Sequence, residues 1–530
     1  MRKSARGGLA SGFLLAAILT GSLCLRIWGS GFGLPAYTRY HPDEHALVDR
    51  AAAILWTGDW NLHRFNYPPL YAYFQAGAYA LYFLYGVTQD LWRYVPTFVV
   101  PNYYLVGRLQ TALFGTLTIL IAYLTGRRLR DHRTGLLVAA LLGVNYLHII
   151  HSHYATFDVM LTFWTSLTLL FSSSIVVRQD PSVRERASAW YFLAGLCAGL
   201  AGATKYNGAV VIIVPLLAYF LATPWNEWGR FSGRLVLTLG AFLLGFFGGN
   251  PFALGNLPDF LNDLATVVHH YGTEHPGFEG TGNWRWYPGV FLTSADAVWV
   301  LAGAIGLFGL LWKRWKVGLL LIAFPVVYYL MVSWFIVRFE RNMVPLLPFL
   351  ALGGGWLVDT EADWLADRFR GTGKASHALA ALGAALLLAL PLAASVSFDI
   401  SLSQIDHREI AGQWVDDNIE KGTKIAIEHY SIPFGYDQYQ VTDVIRISDH
   451  DLDWYQQEGY ELLIISDGIW ETLRRQPESY GEEVAVYDEL VGSSKLLAEF
   501  APEPPTIVVA GYPTVEIYHY APVRIYQVPR

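Results

Sequence analysis

The sequence predicts a polytopic α-helical membrane protein of about eleven transmembrane helices, followed by a soluble C-terminal α/β domain. Three observations predict it. Hydrophobic residues make up 53% of the 530 residues and charged residues only 15%, against about 25% charged in soluble proteins. The apolar residues gather in runs, most of which approach the roughly 20 residues that a bilayer core requires. That texture stops near residue 398: residues 399–530 carry 24 acidic and 9 basic side chains, a net −15, and the preceding chain is +8. This composition excludes an ordinary soluble enzyme and a disordered chain. The overall charge of −7 also excludes a nucleic-acid binder, which needs a basic excess. Cys24 and Cys197 both lie in apolar runs, so neither a disulfide framework nor a Cys-based zinc site is expected.

The apolar runs fall near 9–28, 105–125, 134–151, 157–177, 190–204, 207–223, 234–250, 289–311, 317–337, 343–358 and 376–397. The first is expected to stay as an anchor, since Arg26 interrupts it and no small-residue cleavage site follows Cys24. Basic clusters at Arg2–Arg6, Arg127–Arg133, Arg178–Arg186, Arg230–Arg234, Lys313–Lys316 and Arg368–Lys374 all fall on one side if the chain crosses eleven times. Basic loops favour the cytoplasm, so the N-terminus is expected inside and the C-terminal domain outside, in the plasma (inner) membrane. Counting 68–87 as a span would invert every later cluster. This Pro-led, Tyr-rich stretch is expected to lie along the outer interface as a juxtamembrane helix, within an outer loop covering 29–104.

The chain thus divides into a membrane unit, 1–397, and an extracytoplasmic unit, 398–530. In the second, HREIAGQWVDDNIEKG reads as a helix, KIAIEHY as a strand, DLDWYQQEGY as a helical turn and ELLIISDG as a strand. A helix through Trp470 and Leu473 follows, and PTIVVAGYPTVEIYHY and VRIYQV supply further strands. Helix–strand alternation of this kind predicts a partly parallel sheet.

Ionisable residues at membrane level are costly and therefore candidates for function. In the first outer loop Asp43 and Glu44 follow Pro42. A carboxylate at a helix start is stabilised as an anion, which suits a general base and equally a plain helix cap. Asp158 opens the fourth run on the same side, after His148, His151 and His153. With His41 and His45, His151 and His153 offer ligands for a divalent metal, or a polar cap where a hairpin meets headgroups. Lys205, Arg338 and Arg341 fall at outer turns, where they suit a lipid phosphate or ordinary snorkelling. The outer loop 251–288 contains His269, His270, Glu274, His275 and Glu279, candidates for contacting an acceptor. Trp284, Trp286 and Tyr287 beside them suit an aromatic belt.

The stretch HPDEHALVDRAAAILWTGDWNLHRFNYPPLY resembles the first outer loop of the GT-C membrane glycosyltransferases. The similarity is greatest to the protein O-mannosyltransferase and aminoarabinose-transferase branch, with supporting matches in RLQTALFGTLTILIAYLTGRRL, YATFDVMLTFWTSLTLLF, the Lys205 segment and RNMVPLLPFLAL. It covers about residues 1–397. The resemblance implies an inverting transferase that takes a sugar from a polyprenyl-phosphate carrier and delivers it to an acceptor hydroxyl on a protein, lipid or glycan. It matches Asp43, with Glu44 beside it, to the carboxylate that activates the acceptor, and Asp158 to a second outer carboxylate. Lys205 and the arginine of RNMVPLLP match basic positions near the lipid phosphate. Arg341 aligns better than Arg338 with the Pro-rich run. Two features depart from the pattern. Asn66 and Tyr67 precede Pro68, where the aminoarabinose type has a basic residue, and the acidic tail lacks a β-trefoil look.

The chemistry agrees with that implication, because the departing phosphate needs cations and the attacking hydroxyl needs a base. No cofactor is required by the sequence. A metal-dependent oligosaccharyltransferase-like enzyme and a lipid-linked saccharide transporter are the alternatives. A transporter predicts charges deep in the spans and inverted repeats; the charges here cluster at span ends and no repeat is evident.

Overall fold

The computed structural model describes residues 2–35, 41–92, 100–177, 187–229, 232–273, 283–369, 371–432, 438–475, 477–502, 511–513 and 519–529. Each of the eleven predicted runs falls on helix. Among the described residues, seven helices are long and apolar enough to cross a membrane, and two further candidates are bent pairs. Ser188–Thr204 and Tyr206–Ala222 are shorter apolar helices, as the break at Lys205 implies. The protein is a multi-pass membrane protein. Leu70–Thr88 forms a helix of its own that packs on Pro42–Thr57 through Val48, Ala51, Ala76 and Tyr79.

The two bends depart from the continuous runs at 134–151 and 289–311. His132–Gly143 and Tyr146–Ser152 meet at 61°, and Trp286–Thr293 and Ala297–Lys313 at 120°. Each break restarts a helix whose first amides need acceptors. Asn145 Oδ1 accepts from the His148 N–H. The fully buried Asp296 accepts from the Tyr146 and Leu147 N–H groups, both at 3.1 Å, and from the Tyr512 hydroxyl at 2.8 Å. One carboxylate therefore holds both bends and a C-terminal residue together.

Helices Ala187–Thr204 and Ser232–Gly249 pack backbone to backbone. The G-xxx-G spacing of Gly195 and Gly199 permits it, as a Cβ on either would collide with the Thr238 or Phe242 carbonyl. Small residues at this spacing let membrane helices approach closely.

Gly373–Leu402 is the last long apolar helix, running a little past residue 397. Beyond it, β1 (Lys424–Glu428), β2 (Gln440–Val444), β3 (Leu462–Ser466), β4 (Lys495–Phe500) and β5 (Val523–Gln527) form a sheet of order β2-β1-β3-β5-β4. The β1–β2 and β1–β3 pairs are parallel, while β5 runs antiparallel to both β3 and β4. The expected strands KIAIEHY, ELLIISDG and VRIYQV are β1, β3 and β5. Strands β2 and β4, at the two edges, have no counterpart in the sequence reading. QVTDV is mostly polar and KLLAEF lacks a strict apolar–polar alternation, so neither gives a clear strand signal. Most of the proposed strand segment PTIVVAGYPTVEIYHY lies outside the described residues.

Glu428, at the end of β1, is buried and accepts from the Ile447 and Ser466 N–H groups, each at 2.9 Å, and from the Tyr487 hydroxyl. Burial pushes its carboxyl up to about 8 against these hydrogen bonds. The folded state therefore holds a proton that the unfolded chain releases above its ordinary carboxylate range. Stability from this group is present below that range and is lost as pH rises toward 8, by up to about 1.4 kcal/mol per pH unit. Glu428→Gln places an amide donor against the Ser466 N–H and is expected to lower stability at pH 5 while flattening this slope. Hydrogen exchange of the β1 and β3 amides in the intact protein measures it; an identical slope in the variant sinks the assignment.

Candidate active site

The chain enters the first outer helix through His41, in extended backbone, with Pro42 at the first helical position. Pro lacks an N–H, so it suits a helix start. The His41 Nδ1 accepts from the Asp43 N–H at 3.2 Å. A histidine thus serves as the cap, and the Asp43 carboxylate is left for another partner. That partner is Arg341, whose Nη1 lies 2.8 Å from the Asp43 Oδ2, with the two side chains 8% and 17% exposed. Arg341 sits in the 3-10 turn Glu340–Leu346 ahead of helix Leu347–Arg368, its guanidinium 4.0 Å from the Phe339 ring.

A second ion pair is touched by the next residue of that turn, Asn342. Asp158, first residue of helix Asp158–Val177, is 2.8 Å from the Lys205 Nζ. Lys205 occupies the extended break between Thr204 and the turn Tyr206–Ile212. Its Nζ also donates to the Asn342 Oδ1 at 3.1 Å, and the Asn342 Nδ2 donates to the Tyr287 hydroxyl at 3.1 Å. Arg341 and Asn342 are consecutive, so one short turn touches both ion pairs. Asp43, Asp158, Lys205 and Arg341, four residues singled out from sequence, thus form one constellation with Asn342 and Tyr287. Sequence reasoning passed over Asn342 because a neutral amide in an apolar run gives no charge signal, and it took Tyr287 for a belt residue.

Tyr67 closes one side. The Asp43 charge and then burial push its hydroxyl up; its ring lies 5.5 Å from Phe157 and 5.3 Å from the Arg50 guanidinium. The preceding loop is fastened by the Phe65 N–H, which donates to Asp263 at 2.7 Å, and by the Tyr206 hydroxyl, which donates to the Phe65 carbonyl at 2.5 Å. Helix Leu257–Thr273, which carries Asp263, is therefore tied to the Asp43 loop.

The other predicted residues are placed differently. Glu44 is not beside Asp43 chemically. It is fully buried, with Oε1 2.9 Å from the Arg108 Nε, Oε2 2.8 Å from the Arg108 Nη2, and Oε1 also accepting from the Ala155 N–H at 2.7 Å. Successive helical residues diverge by about 100° around the axis, so one carboxylate meets Arg341 and the next turns into the protein. Glu44 anchors the loop, and both of its oxygens are held by these donors. Arg338 donates to the Asn283 Oδ1 at 3.2 Å and lies over the Trp286 ring.

His151 is fully buried and His45 is exposed. Both His153 ring nitrogens lie 2.9 Å from backbone carbonyls, those of Ile149 and Trp28. Among the described residues no three His, Cys, Asp or Glu side chains converge to hold a metal ion. His269 and His270 lie exposed on helix Leu257–Thr273, and Glu274, His275 and Glu279 lie outside the described residues.

Residues 64–250 match the family Dolichyl-phosphate-mannose-protein mannosyltransferase. Over 374 residues the chain is 27% identical to undecaprenyl phosphate-alpha-4-amino-4-deoxy-L-arabinose arabinosyl transferase 2 of Pseudomonas fluorescens, a match spanning 66% of this chain and 59% of that protein. The chain is thus similar, over part of its length, to the mannosyltransferase and aminoarabinose-transferase branch of the GT-C membrane glycosyltransferases. The corresponding transferase of Pseudomonas aeruginosa is 29% identical over 40% of this chain and 35% of its own length. The matches thus span at most about three-fifths of these curated relatives' length. Two solved structures share the GT-C fold. ArnT from Cupriavidus metallidurans, bound to undecaprenyl phosphate, superposes with a TM-score of 0.52 at 16% identity over 98% of both chains. The Archaeoglobus fulgidus oligosaccharyltransferase gives 0.56 at 12% identity, covering 89% of this chain and 72% of its own.

Proposed function

We propose that this GT-C protein transfers a sugar, with inversion, from a polyprenyl-phosphate donor to an acceptor hydroxyl at the outer face of the plasma (inner) membrane. In this reading the N-terminus is cytoplasmic, residues 1–397 carry the reaction, and residues 398–530 lie outside. One observation carries the reading: two carboxylates and two cations, Asp43 with Arg341 and Asp158 with Lys205, are joined through a single turn. The Asp43 carboxylate takes the proton of the acceptor hydroxyl as its oxygen bonds to the anomeric carbon. The bond from that carbon to the phosphate oxygen breaks, and its electron pair leaves with the polyprenyl phosphate. Lys205 and Arg341 stabilise that growing negative charge, and Asp158 and Asn342 hold Lys205 in place. The isoprenoid tail stays in lipid. The match to the mannosyltransferase family and the relatives named for undecaprenyl-phosphate aminoarabinose support this donor class. The acceptor is a protein, lipid or glycan hydroxyl.

The test is sugar transfer in proteoliposomes from a polyprenyl-phosphate sugar. Loss of one preorganised cation costs about 10²–10³ in turnover, so Lys205→Ala is expected to fall by that factor and Lys205→Arg to recover part of it. Turnover of Lys205→Ala within threefold of the parent sinks the assignment. The mechanism routes no step through a metal, so activity is expected to persist in chelator; loss there reversed by divalent cation favours the metal-dependent alternative.

A further inference from the structure

The C-terminal chain reaches the Asp43 loop through three rings. His519 precedes β5 and is buried; its Nε2 lies 2.6 Å from the Tyr154 hydroxyl. The two rings are nearly parallel, 11° apart, with centroids at 5.9 Å. Tyr154, itself fully buried, also packs on His41, the rings tilted by 39° with centroids at 4.5 Å. His41 in turn accepts the Asp43 N–H, and Pro42 between them fixes the backbone. The stack is held from the side: Phe32 meets Tyr154 and His519 edge-on at 6.0 and 5.5 Å, and Phe398 meets His519 at 5.6 Å. Burial and the nearby Arg341 hold the His41 ring well below its ordinary value, so it stays neutral and keeps the lone pair that caps Asp43.

We infer that the C-terminal unit positions Asp43 through the His519–Tyr154–His41 stack, which makes Tyr154 and His41 positioning residues for the transfer reaction. This rests on the reading of Asp43 given above. Arg341 holds the Asp43 carboxylate and Arg108 holds the next residue, Glu44, but neither contact fixes the Asp43 backbone N–H. The cap from His41 fixes the first turn, and the Tyr154 ring fixes His41. The Tyr154 hydroxyl ties that ring to a residue more than 350 positions later in the chain. A shift of about 1 Å in a reacting group costs roughly 10²-fold in rate, so a loosened cap is read out in turnover.

Tyr154→Phe keeps the ring and removes only the hydrogen bond to His519. In proteoliposomes it is expected to lower kcat at least fivefold, with donor KM within twofold and an unchanged thermal midpoint. His41→Leu, which cannot cap, is expected to lose more than tenfold. His41→Asn, whose short side-chain oxygen caps a helix start well, is expected to recover most of that loss. Parent-like kcat in Tyr154→Phe, or an equal loss in His41→Asn and His41→Leu, overturns the inference, as does a loss that merely follows the fraction unfolded in a thermal scan. The underlying reading fails differently: it falls if Asp43→Asn retains turnover, whatever the Tyr154 and His41 variants do.

Discussion

Asp43→Asn is expected to lower sugar-transfer turnover by about 10²–10⁴, the range general base catalysis supplies, with little change in the thermal midpoint. Asn keeps the size of the side chain and leaves an oxygen facing the Arg341 guanidinium, where the carboxylate now makes its 2.8 Å ion pair. The ability to take a proton is removed together with the charge opposite Arg341; that pair is partly exposed, with side chains 17% and 8% exposed, whereas Glu44 and Arg108 are fully buried, so the cost in stability is small. Asp43 is chosen over Asp158 on access. The Asp43 side chain is 17% exposed, and the Asp158 side chain, at 1%, sits behind Lys205. Asp158→Asn is thus expected to act through Lys205, raising the donor KM as well as lowering kcat. Single-turnover transfer at saturating donor separates the two, because a missing base slows the chemical step without weakening donor binding. Turnover of Asp43→Asn within threefold of the parent removes Asp43 from the mechanism.

Much of the fold was legible because bilayer crossing demands long apolar runs, and each run became helix. The bends were not, since their cause is remote: Asp296 holds amides about 150 positions earlier in the chain, and no local pattern reports that. The candidate site divides in the same way. Lys205 between two apolar runs and Asp43 after a proline are isolated charges or turn signals that a sequence displays. That Asp43 and Glu44 part company is a matter of helical phase combined with a partner on another helix. A clue to that partner was present. Arg108 is a lone cation in the apolar run LVGRLQTALFG, and a charge there requires a counterion. The cap made by His41 gave no comparable signal, because histidine is an uncommon choice beside Ser, Thr, Asp and Asn at that position.

The second large effect is on stability, and it falls on Glu44. Its carboxylate and the Arg108 guanidinium are both fully buried and meet through two hydrogen bonds at 2.9 and 2.8 Å. The same guanidinium donates to the Ser30 and Phe32 carbonyls and lies 3.6 Å from the Phe32 ring. The pair therefore gathers three segments: Arg108 holds the turn after the first helix, Glu44 belongs to the Asp43 helix, and Glu44 also accepts from the Ala155 N–H. Glu44→Gln leaves the cation buried without its counter-charge, which costs about 3–5 kcal/mol, so the variant is expected to have a clearly lowered thermal midpoint and poor recovery from detergent. Arg108→Met is expected to be as damaging, since it strands the carboxylate. Replacing both, as Glu44→Met with Arg108→Met, removes the desolvation cost together with the attraction, and well-packed apolar substitutes for a buried pair are often neutral. The double variant is thus expected to regain most of the lost midpoint, although the Ala155 N–H and the two carbonyls lose their partners. Its stability separates two accounts of Glu44. Recovery means that the pair matters as a matched charge, whereas a double variant as unstable as either single one would place the stabilisation in the hydrogen bonds to Ser30, Phe32 and Ala155. Either outcome separates Glu44 from catalysis, provided that Asp43→Asn, with its fold intact, is inactive.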